Sequence, residues 1–454
     1  MTIKNFFFLK KKEIEKTSVN YKIFFSGLSI GLATIIVQLV QTLKEVIVAD
    51  QFGTGIALEN FIIAFLIPGF LISVIADSIP PALLPAYERL KQSEGTKMAK
   101  NFLSWTCIAL VGISSLTIFI VLKWDSTLLH PIIKNFDFER QNSIIRFQAW
   151  LLWSVVAQTG FVCLCTFFYA LKKFFSTSII RIISPLLVLT FLVFNLFEEK
   201  ILALVIGTVV GAGLQFIVIF FRSVRYSLFS GFKVSKSGLK YFGKQYFPLC
   251  FAAALMGGTT LIDNSMASLL PAKNLASLNF GNKIILALLA LGGTILGSSV
   301  LPYFSEMSAK YKLKDLNHSV STYQKLILKI TIPCTGLLIL FSEPITKIIW
   351  QHGNFNNYDT MVVAKIQSLY ALQCPFYLMG ILLSRAVSSM GGNHLLALIT
   401  VSNLVLNFIF NLVLMKFLGV YGIALSTSIV YLISYFMLRL EYGWLIKKGN
   451  KYSV

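Results

Sequence analysis

The residues of this sequence that could do chemistry are charged and amide side chains inside long apolar segments. The first segment carries Thr34, Gln38, Gln41 and Glu45 at positions i, i+4, i+7 and i+11, with Lys44 beside Glu45. This spacing places the four side chains on one face of a helix. A charge at the centre of a lipid-embedded helix costs about 2.5 to 3.5 kcal/mol, so it needs a partner, water or a function. We interpret this face as lining a bundle interior; a solvated interfacial Lys44 and Glu45 pair is the alternative.

Charged and amide groups recur in four later apolar segments: Glu59 and Asp77 in the second, Asp263 in the seventh, Asn282 and Lys283 in the eighth, and Lys365 in the tenth. Lysines in such positions could hold an anion as point charges. Asp263 and Lys283 could instead pair across neighbouring helices, which is the structural alternative. We take Asp77, Asn282 and Lys365 as secondary binding candidates, and the other charged residues with the two glutamines as primary ones.

No motif for covalent, nucleotide or metal chemistry stands in a suitable sequence context. A Walker-type loop and a His-Glu-x-x-His motif are both absent. The stretch Gly27-Leu28-Ser29-Ile30-Gly31 has the letters of a nucleophile elbow, but it lies inside an apolar helix. Cys163 and Cys165 diverge on a helix and are predicted to pack. We therefore predict no enzymatic activity, no metal site and no cofactor.

The composition explains what must position these residues. The chain has 454 residues, of which 56% are hydrophobic and 13% charged, and its mean hydropathy is +0.75. Soluble domains are about one quarter charged, so lipid must be the solvent for most of this chain. The net charge of +21 would indicate nucleic acid in a soluble protein. Here the cations cluster in short connections, which indicates membrane topology and predicts no nucleic-acid partner.

Apolar windows with charged boundaries predict twelve transmembrane helices. We place them at 22–49, 59–84, 101–122, 147–171, 176–197, 201–221, 245–269, 275–303, 326–344, 360–384, 394–416 and 419–438. Most Lys and Arg residues then lie on one side, and the positive-inside rule makes that side cytoplasmic. The predicted location is the bacterial cytoplasmic (inner) membrane, with an uncleaved first span and both termini in the cytoplasm.

The chain divides into two similar halves. Leu84-Pro85 and Phe194-Asn195-Leu196 correspond to Leu301-Pro302 and Phe410-Asn411-Leu412 at a nearly constant offset. We therefore predict an all-α fold of two six-helix lobes, related by a pseudo-two-fold axis along the membrane normal, which suits a rocking transporter with its site between the lobes. The predicted regions are a basic tail at 1–21, lobes at 22–221 and 245–438, a cytoplasmic connection at 222–244 and a basic tail at 439–454.

The eleventh span carries a ladder of amides, Asn403, Asn407 and Asn411, at positions i, i+4 and i+8. Asparagine side chains in membrane helices commonly hydrogen-bond to neighbouring helices. We therefore predict that this ladder joins helices and does not bind substrate.

Six stretches in both halves of the chain have a recognisable pattern: Lys44-Glu45-Val46-Ile47-Val48-Ala49, Phe52-Gly53-Thr54-Gly55, Glu59-Asn60-Phe61, Val300-Leu301-Pro302-Tyr303-Phe304-Ser305, Trp350-Gln351-His352-Gly353-Asn354-Phe355 and Gly419-Val420-Tyr421-Gly422. In these stretches the sequence resembles the MurJ/MviN family of lipid II flippases. The resemblance implies a cationic cavity that holds the diphosphate of a polyprenyl-linked sugar. Its key roles would fall on Lys44, Glu59 and Lys283. In departure from the family, Gln38 and Ile72 stand where arginine is typical, and twelve spans are predicted instead of fourteen.

These observations predict a flippase that moves lipid II or a related lipid-linked glycan by alternating access. Its partners would be that precursor and membrane lipid, it would act as a monomer, and it would serve peptidoglycan synthesis, cell-wall biogenesis and cell shape. The alternative is a cation-coupled multidrug exporter of similar architecture, in which Asp263, Glu45 and Glu59 would bind the coupling ion or a cationic substrate.

Overall fold

The structure is a computed structural model that describes residues 19–229, 231, 235–309 and 313–451. Most of the predicted tail at 1–21, the last three residues of the tail at 439–454 and part of the connection at 222–244 lie outside the described residues. The side chains of Thr34 and of the Leu301-Pro302 pair are also outside them.

The described residues are almost entirely helical. The N-terminal half contains α1 (Val19–Phe52), α2 (Ile56–Leu71), α3 (Ile79–Ser93), α4 (Gly95–Lys123), α5 (Asp125–Ile133), α6 (Phe138–Ala170), α7 (Phe174–Ile180), α8 (Ile183–Val193) and α9 (Ile201–Arg225). The C-terminal half contains α10 (Lys236–Ala267), α11 (Asn274–Ala309), α12 (Leu313–Leu340), α13 (Ser342–Trp350), α14 (Asn357–Ala371), α15 (Cys374–Ser389), α16 (Asn393–Leu418) and α17 (Val420–Lys451).

Within the described residues, eleven helical segments are long and apolar enough to cross a membrane. They coincide with the second to twelfth predicted spans, and α1 covers the first. Three of the spans are broken helices. The second is α2 followed by a π-helical turn at Ile72–Ala76 and then α3, the fifth is α7 followed by α8, and the tenth is α14 followed by α15. The prediction of an all-helical membrane fold is therefore confirmed.

The described residues form two compact units that do not follow chain order. The first unit draws on Met1–Glu45, Ile75–Phe119 and Trp153–Tyr246. The second unit draws on Val46–Val74, Ile120–Leu152 and Phe247–Val454. Because two segments of the N-terminal half belong to it, the second unit joins parts of both halves.

Close helix packing in the first unit depends on small residues. Gly207 and Gly211 in α9 form a Gly-x-x-x-Gly pair facing α8. A Cβ atom added at Gly207 would lie 2.7 Å from Val188, and one added at Gly211 would lie 2.6 Å from the Cα of Ser184. In a membrane, such pairs let backbones approach and pack by dispersion, since lipid leaves little hydrophobic drive between helices.

Polar groups support the break between α7 and α8. The side-chain amide of Gln215 in α9 donates to the carbonyl of Arg181, at 3.0 Å. The same glutamine accepts from Gln158 in α6, also at 3.0 Å. A backbone carbonyl released by a helix break is thereby satisfied inside the unit, as a lipid environment requires.

The second unit has an apolar core at which α12, α15, α16 and α17 meet. Leu316, Leu382, Ala386, Val387 and Tyr435 are among its buried members. Spans 9 to 12 therefore pack as one body.

Candidate functional site

Lys44 and Glu45 form an ion pair within α1. The Lys44 Nζ lies 2.7 Å from the Glu45 Oε1, and the two side chains are 20% and 16% exposed. The amides of Gln38 and Gln41 on the same helix are exposed in the first unit. This part of α1 thus presents amide groups next to a lysine whose charge is compensated by the neighbouring glutamate.

Glu59 lies at the centre of a polar network in the second unit. The residue is 3% exposed, and its carboxylate lies 3.2 Å from Nη2 of Arg140. Its other oxygen accepts the backbone N–H of Leu275 at 3.1 Å. Arg140 also donates through Nε to Asn60 at 2.7 Å, and its guanidinium lies 3.9 Å from the ring centroid of Phe136. The carboxylate therefore ties α2 to α6 and to the start of α11.

Arg140 is a functional candidate that the sequence pattern does not indicate. The fourth span was predicted to begin at 147, whereas α6 begins at Phe138, so Arg140 lies inside a helix and not in a loop. The only signal for it was indirect: a buried acid such as Glu59 needs a cation. Hydropathy does not indicate which of several loop cations that would be.

Two tight turns interlock in the second unit. Gly53 and Gly353 have φ values of +53° and +51°, which favour glycine. Asn354 donates its backbone N–H to the Asp50 carbonyl at 2.7 Å and its side-chain amide to the Gln51 carbonyl at 2.6 Å. A Cβ atom at Gly53 would lie 2.5 Å from the Asn354 oxygen, and one at Gly353 would lie 2.4 Å from the Asp50 oxygen. We call this the paired-glycine contact.

Asp359 supports the same region by capping α14. It exchanges capping-box hydrogen bonds with Asn356, and its carboxylate accepts from the hydroxyl of Thr54 at 2.7 Å. Lys273 Nζ lies 4.0 Å from that carboxylate. The nearby candidate Lys365 is exposed and sits 4.6 Å from the ring centroid of Tyr421.

Asp263 is held by amides and a hydroxyl from two other helices. One carboxylate oxygen accepts from Asn407 at 3.0 Å and from Asn411 at 2.6 Å, and the other accepts from Thr427 at 3.2 Å. The prediction that the asparagine ladder joins helices is confirmed, since Asn403 also donates to Ser434 at 2.9 Å.

The Asp263 centre has a distinctive chemistry. The described groups that hydrogen-bond its carboxylate are all neutral. The side-chain oxygen of Asn411 is buried and has no hydrogen-bond partner among the described residues. A buried carboxylate favours a compensating charge. This set of oxygens can hold a proton or a small cation.

The remaining candidates lie in both units. Lys283 in α11 belongs to the second unit, with its Nζ 4.5 Å from the ring centroid of Phe280. The side-chain oxygen of Asn282 is buried without a hydrogen-bond partner among the described residues. Asp77, in the first unit, is exposed in the turn that follows the π-helical turn at Ile72–Ala76. Binding roles for these residues stay predictions.

Comparison with known proteins identifies the family. Residues 48–452 match the family model described as Lipid II flippase MurJ. The chain belongs to the lipid II flippase MurJ family. A probable lipid II flippase MurJ of Rickettsia prowazekii is 24% identical over 438 residues, covering 94% of this chain and 84% of the relative. The lipid II flippase MurJ of Thermosipho africanus is 33% identical over 120 residues, covering 26% of this chain and 24% of the relative.

Solved structures of MurJ and of a multidrug transporter share the fold. A lipid II flippase MurJ in an inward closed conformation superposes with a TM-score of 0.76 at 21% identity, covering 92% of this chain and 90% of that one. An inward-facing MATE-family multidrug transporter gives 0.74 at 13% identity, covering 94% and 100%. The predicted MurJ resemblance and two-lobe transporter fold are confirmed. The chain is therefore a multi-pass membrane protein of the MurJ family.

Proposed function

We propose that this chain flips a polyprenyl-diphosphate-linked sugar precursor, lipid II or a related lipid-linked glycan, across the inner membrane. The observation that carries the proposal is the family match, which extends over residues 48–452 and so includes the second to twelfth predicted spans. The same match favours a flippase over a multidrug exporter, because the likeness to the MATE transporter is one of fold at 13% identity.

Lys44 and Lys283 are proposed to hold the diphosphate as point charges. The ion pair supports this role for Lys44, because Glu45 can stabilise the lysine when the site is empty and release it when an anion arrives. Gln38 and Gln41 are exposed on the same helix and would offer hydrogen bonds to the sugar. Asp77, Asn282 and Lys365 remain secondary candidates.

Glu59 is proposed as a positioning residue, although the sequence first indicated a binding role. Its two oxygens already contact Arg140 and the Leu275 N–H. Little of the carboxylate is therefore left for a cargo. In this role it would orient the start of α11, the helix that carries Lys283.

Alternating access gives the polar contacts of the second unit a further role. The turns that contain Gly53 and Gly353 follow the first and ninth predicted spans, so topology places both on the outer side. The paired-glycine contact and the Glu59 network each join the N-terminal half of the chain to the C-terminal half. Outward opening of a two-lobe transporter would break such contacts, which would act as an outer gate.

Energy for the proposed step does not require ATP. Moving two negative charges outward down an inside-negative potential gains about 4 to 5 kcal/mol per 100 mV. Exchange of a proton or small cation at Asp263 would couple a second gradient to the same movement. The protein would act as a monomer with both termini in the cytoplasm and without enzymatic activity.

The decisive experiment depletes the protein and measures lipid-linked precursors in its own host. Precursor should accumulate on the cytoplasmic side, and the wild-type gene should reverse this. A Lys44→Ala, Lys283→Ala double variant should fail to reverse it, whereas Lys236→Ala with Lys240→Ala should succeed. Undiminished flipping by the first double variant would refute the proposed role of Lys44 and Lys283 in holding the diphosphate. Drug sensitivity without precursor accumulation would indicate the exporter.

A further inference from the structure

A group of cations and aromatic rings surrounds Tyr226, just after α9 in the first unit. The Lys100 Nζ donates to the Tyr226 carbonyl at 2.8 Å. Lys173 contacts the Tyr226 hydroxyl, with its Nζ 4.3 Å from the centroid of that ring. The Phe168 ring lies 5.5 Å from the Tyr226 ring, and the Arg222 guanidinium lies 4.8 Å from the Phe168 centroid. We call Lys100, Lys173, Arg222 and Tyr226 the Tyr226 cluster.

The cluster concentrates positive charge without an acidic partner. Among the described residues, its three cations contact a carbonyl, a hydroxyl and aromatic rings, and none of them forms an ion pair with a carboxylate. Lys172 and Arg225, both exposed, adjoin it in sequence. The hydrogen bond from Lys173, together with its charge, lowers the pKa of Tyr226. An anion would therefore be attracted to this place.

Membrane topology alone does not require this arrangement. The positive-inside rule counts Lys and Arg residues near span ends and is satisfied by side chains that point separately into water. In the cluster, the three cations come from three separate parts of the chain and are half-buried. The two lysines contact Tyr226, and Arg222 lies against the neighbouring Phe168 ring. Lys236 and Lys240, which lie in the predicted cytoplasmic connection at 222–244 together with Arg222 and Tyr226, are exposed instead.

The predicted topology places the cluster where lipid headgroups lie. Lys100 directly precedes the third predicted span, Lys173 lies between the fourth and the fifth, and Tyr226 follows the sixth, so all three are at cytoplasmic span ends. The cytoplasmic leaflet carries anionic lipids that attract basic groups near its surface. Aromatic rings are also favoured at this depth because one end is apolar and the other is wet.

We propose that the Tyr226 cluster binds the phosphate group of an anionic phospholipid of the cytoplasmic leaflet. The two lysines and Arg222 surround the phosphate with N–H donors, and the Tyr226 hydroxyl adds one more polar contact. The site does not depend on the identity of the flipped cargo.

The test measures how many phosphatidylglycerol molecules the purified full-length protein retains, and how tightly, by native mass spectrometry. Lys173→Ala with Arg222→Ala is compared with Lys236→Ala with Lys240→Ala, which removes the same charge from the same predicted side of the membrane. Because only the cluster variant loses charge-assisted hydrogen bonds made directly to the phosphate, it should bind on the order of 30-fold more weakly. The control variant should bind within about twofold of wild type.

Three outcomes would overturn the proposal. Equal losses in the two variants would show general surface electrostatics, and unchanged binding in the cluster variant would show that the lipid binds elsewhere. Effective competition by excess glycerol phosphate would assign the site to a soluble phosphate ester. If the double variant unfolds, Tyr226→Phe and Lys173→Gln provide milder changes, and retained helical circular dichroism confirms their fold. Phosphatidylcholine should bind wild type and both variants equally.

Discussion

Replacing Glu59 with alanine should lower the free energy of unfolding by about 3 to 5 kcal/mol, because it leaves the charge of Arg140 buried without its partner. The Arg140 side chain is 14% exposed, so water compensates only a small part of that loss. The same change removes the acceptor of the Leu275 N–H, which is a further cost of about 1 to 3 kcal/mol if no water replaces it. The total loss of unfolding free energy should therefore lie at the upper end of the range for single-residue substitutions.

A double-mutant cycle separates the proposed positioning role from substrate binding. If the two residues stabilise each other, Glu59→Ala with Arg140→Met should cost less than the sum of the single changes, with a coupling energy of about 1 to 3 kcal/mol. Unfolding in mixed micelles, followed by circular dichroism and a cysteine-accessibility probe, measures each variant. Additive single changes, or a Glu59→Ala protein as stable as wild type that no longer flips precursor, would refute the positioning role and support direct contact with cargo.

Three further changes test other parts of the structure. Gly353→Ala should destabilise by more than about 1 to 3 kcal/mol, because the new Cβ meets a backbone oxygen at 2.4 Å, whereas Gly391→Ala shares the positive φ in open space and should show only the conformational cost; equal thermal shifts would contradict the paired-glycine contact. Gly211→Val should disrupt α8–α9 packing in a proteolysis assay and Gly213→Val should not, since nothing lies within 4 Å of Gly213; equal sensitivity would contradict the packing argument. Asp263→Asn should fold but lose any dependence of flipping on external pH or sodium, and an unaltered dependence in vesicles would exclude this centre.

The fold was largely predictable because the signal for a membrane helix is local in sequence. A run of apolar residues long enough to cross the hydrocarbon must hydrogen-bond to itself, whatever lies beside it. All twelve predicted spans therefore coincide with helices. The ends were less accurate, as at Phe138, because a polar helix start that packs on protein has no hydropathy signal.

The candidate site was less predictable because it depends on partners far apart in the chain. Sequence alone identified Glu59 and Asp263 as charges that needed an explanation, since their cost in lipid follows from residue type. It did not identify Arg140 as the partner of Glu59, 81 residues away. For Asp263 it assigned the asparagines of the eleventh span to helix contacts but did not show which acid they hold.

The lipid environment, the spans and the positions at which a charge is costly all follow from residue types along the chain. The partners that compensate each charge, and the turns that interlock, emerge only when the chain is folded, as in the contact between Asn354 and Gln51 across 303 residues. Insertion into lipid is a sum over local residue costs, whereas hydrogen bonds and close backbone contacts depend on how helices pack to within an ångström.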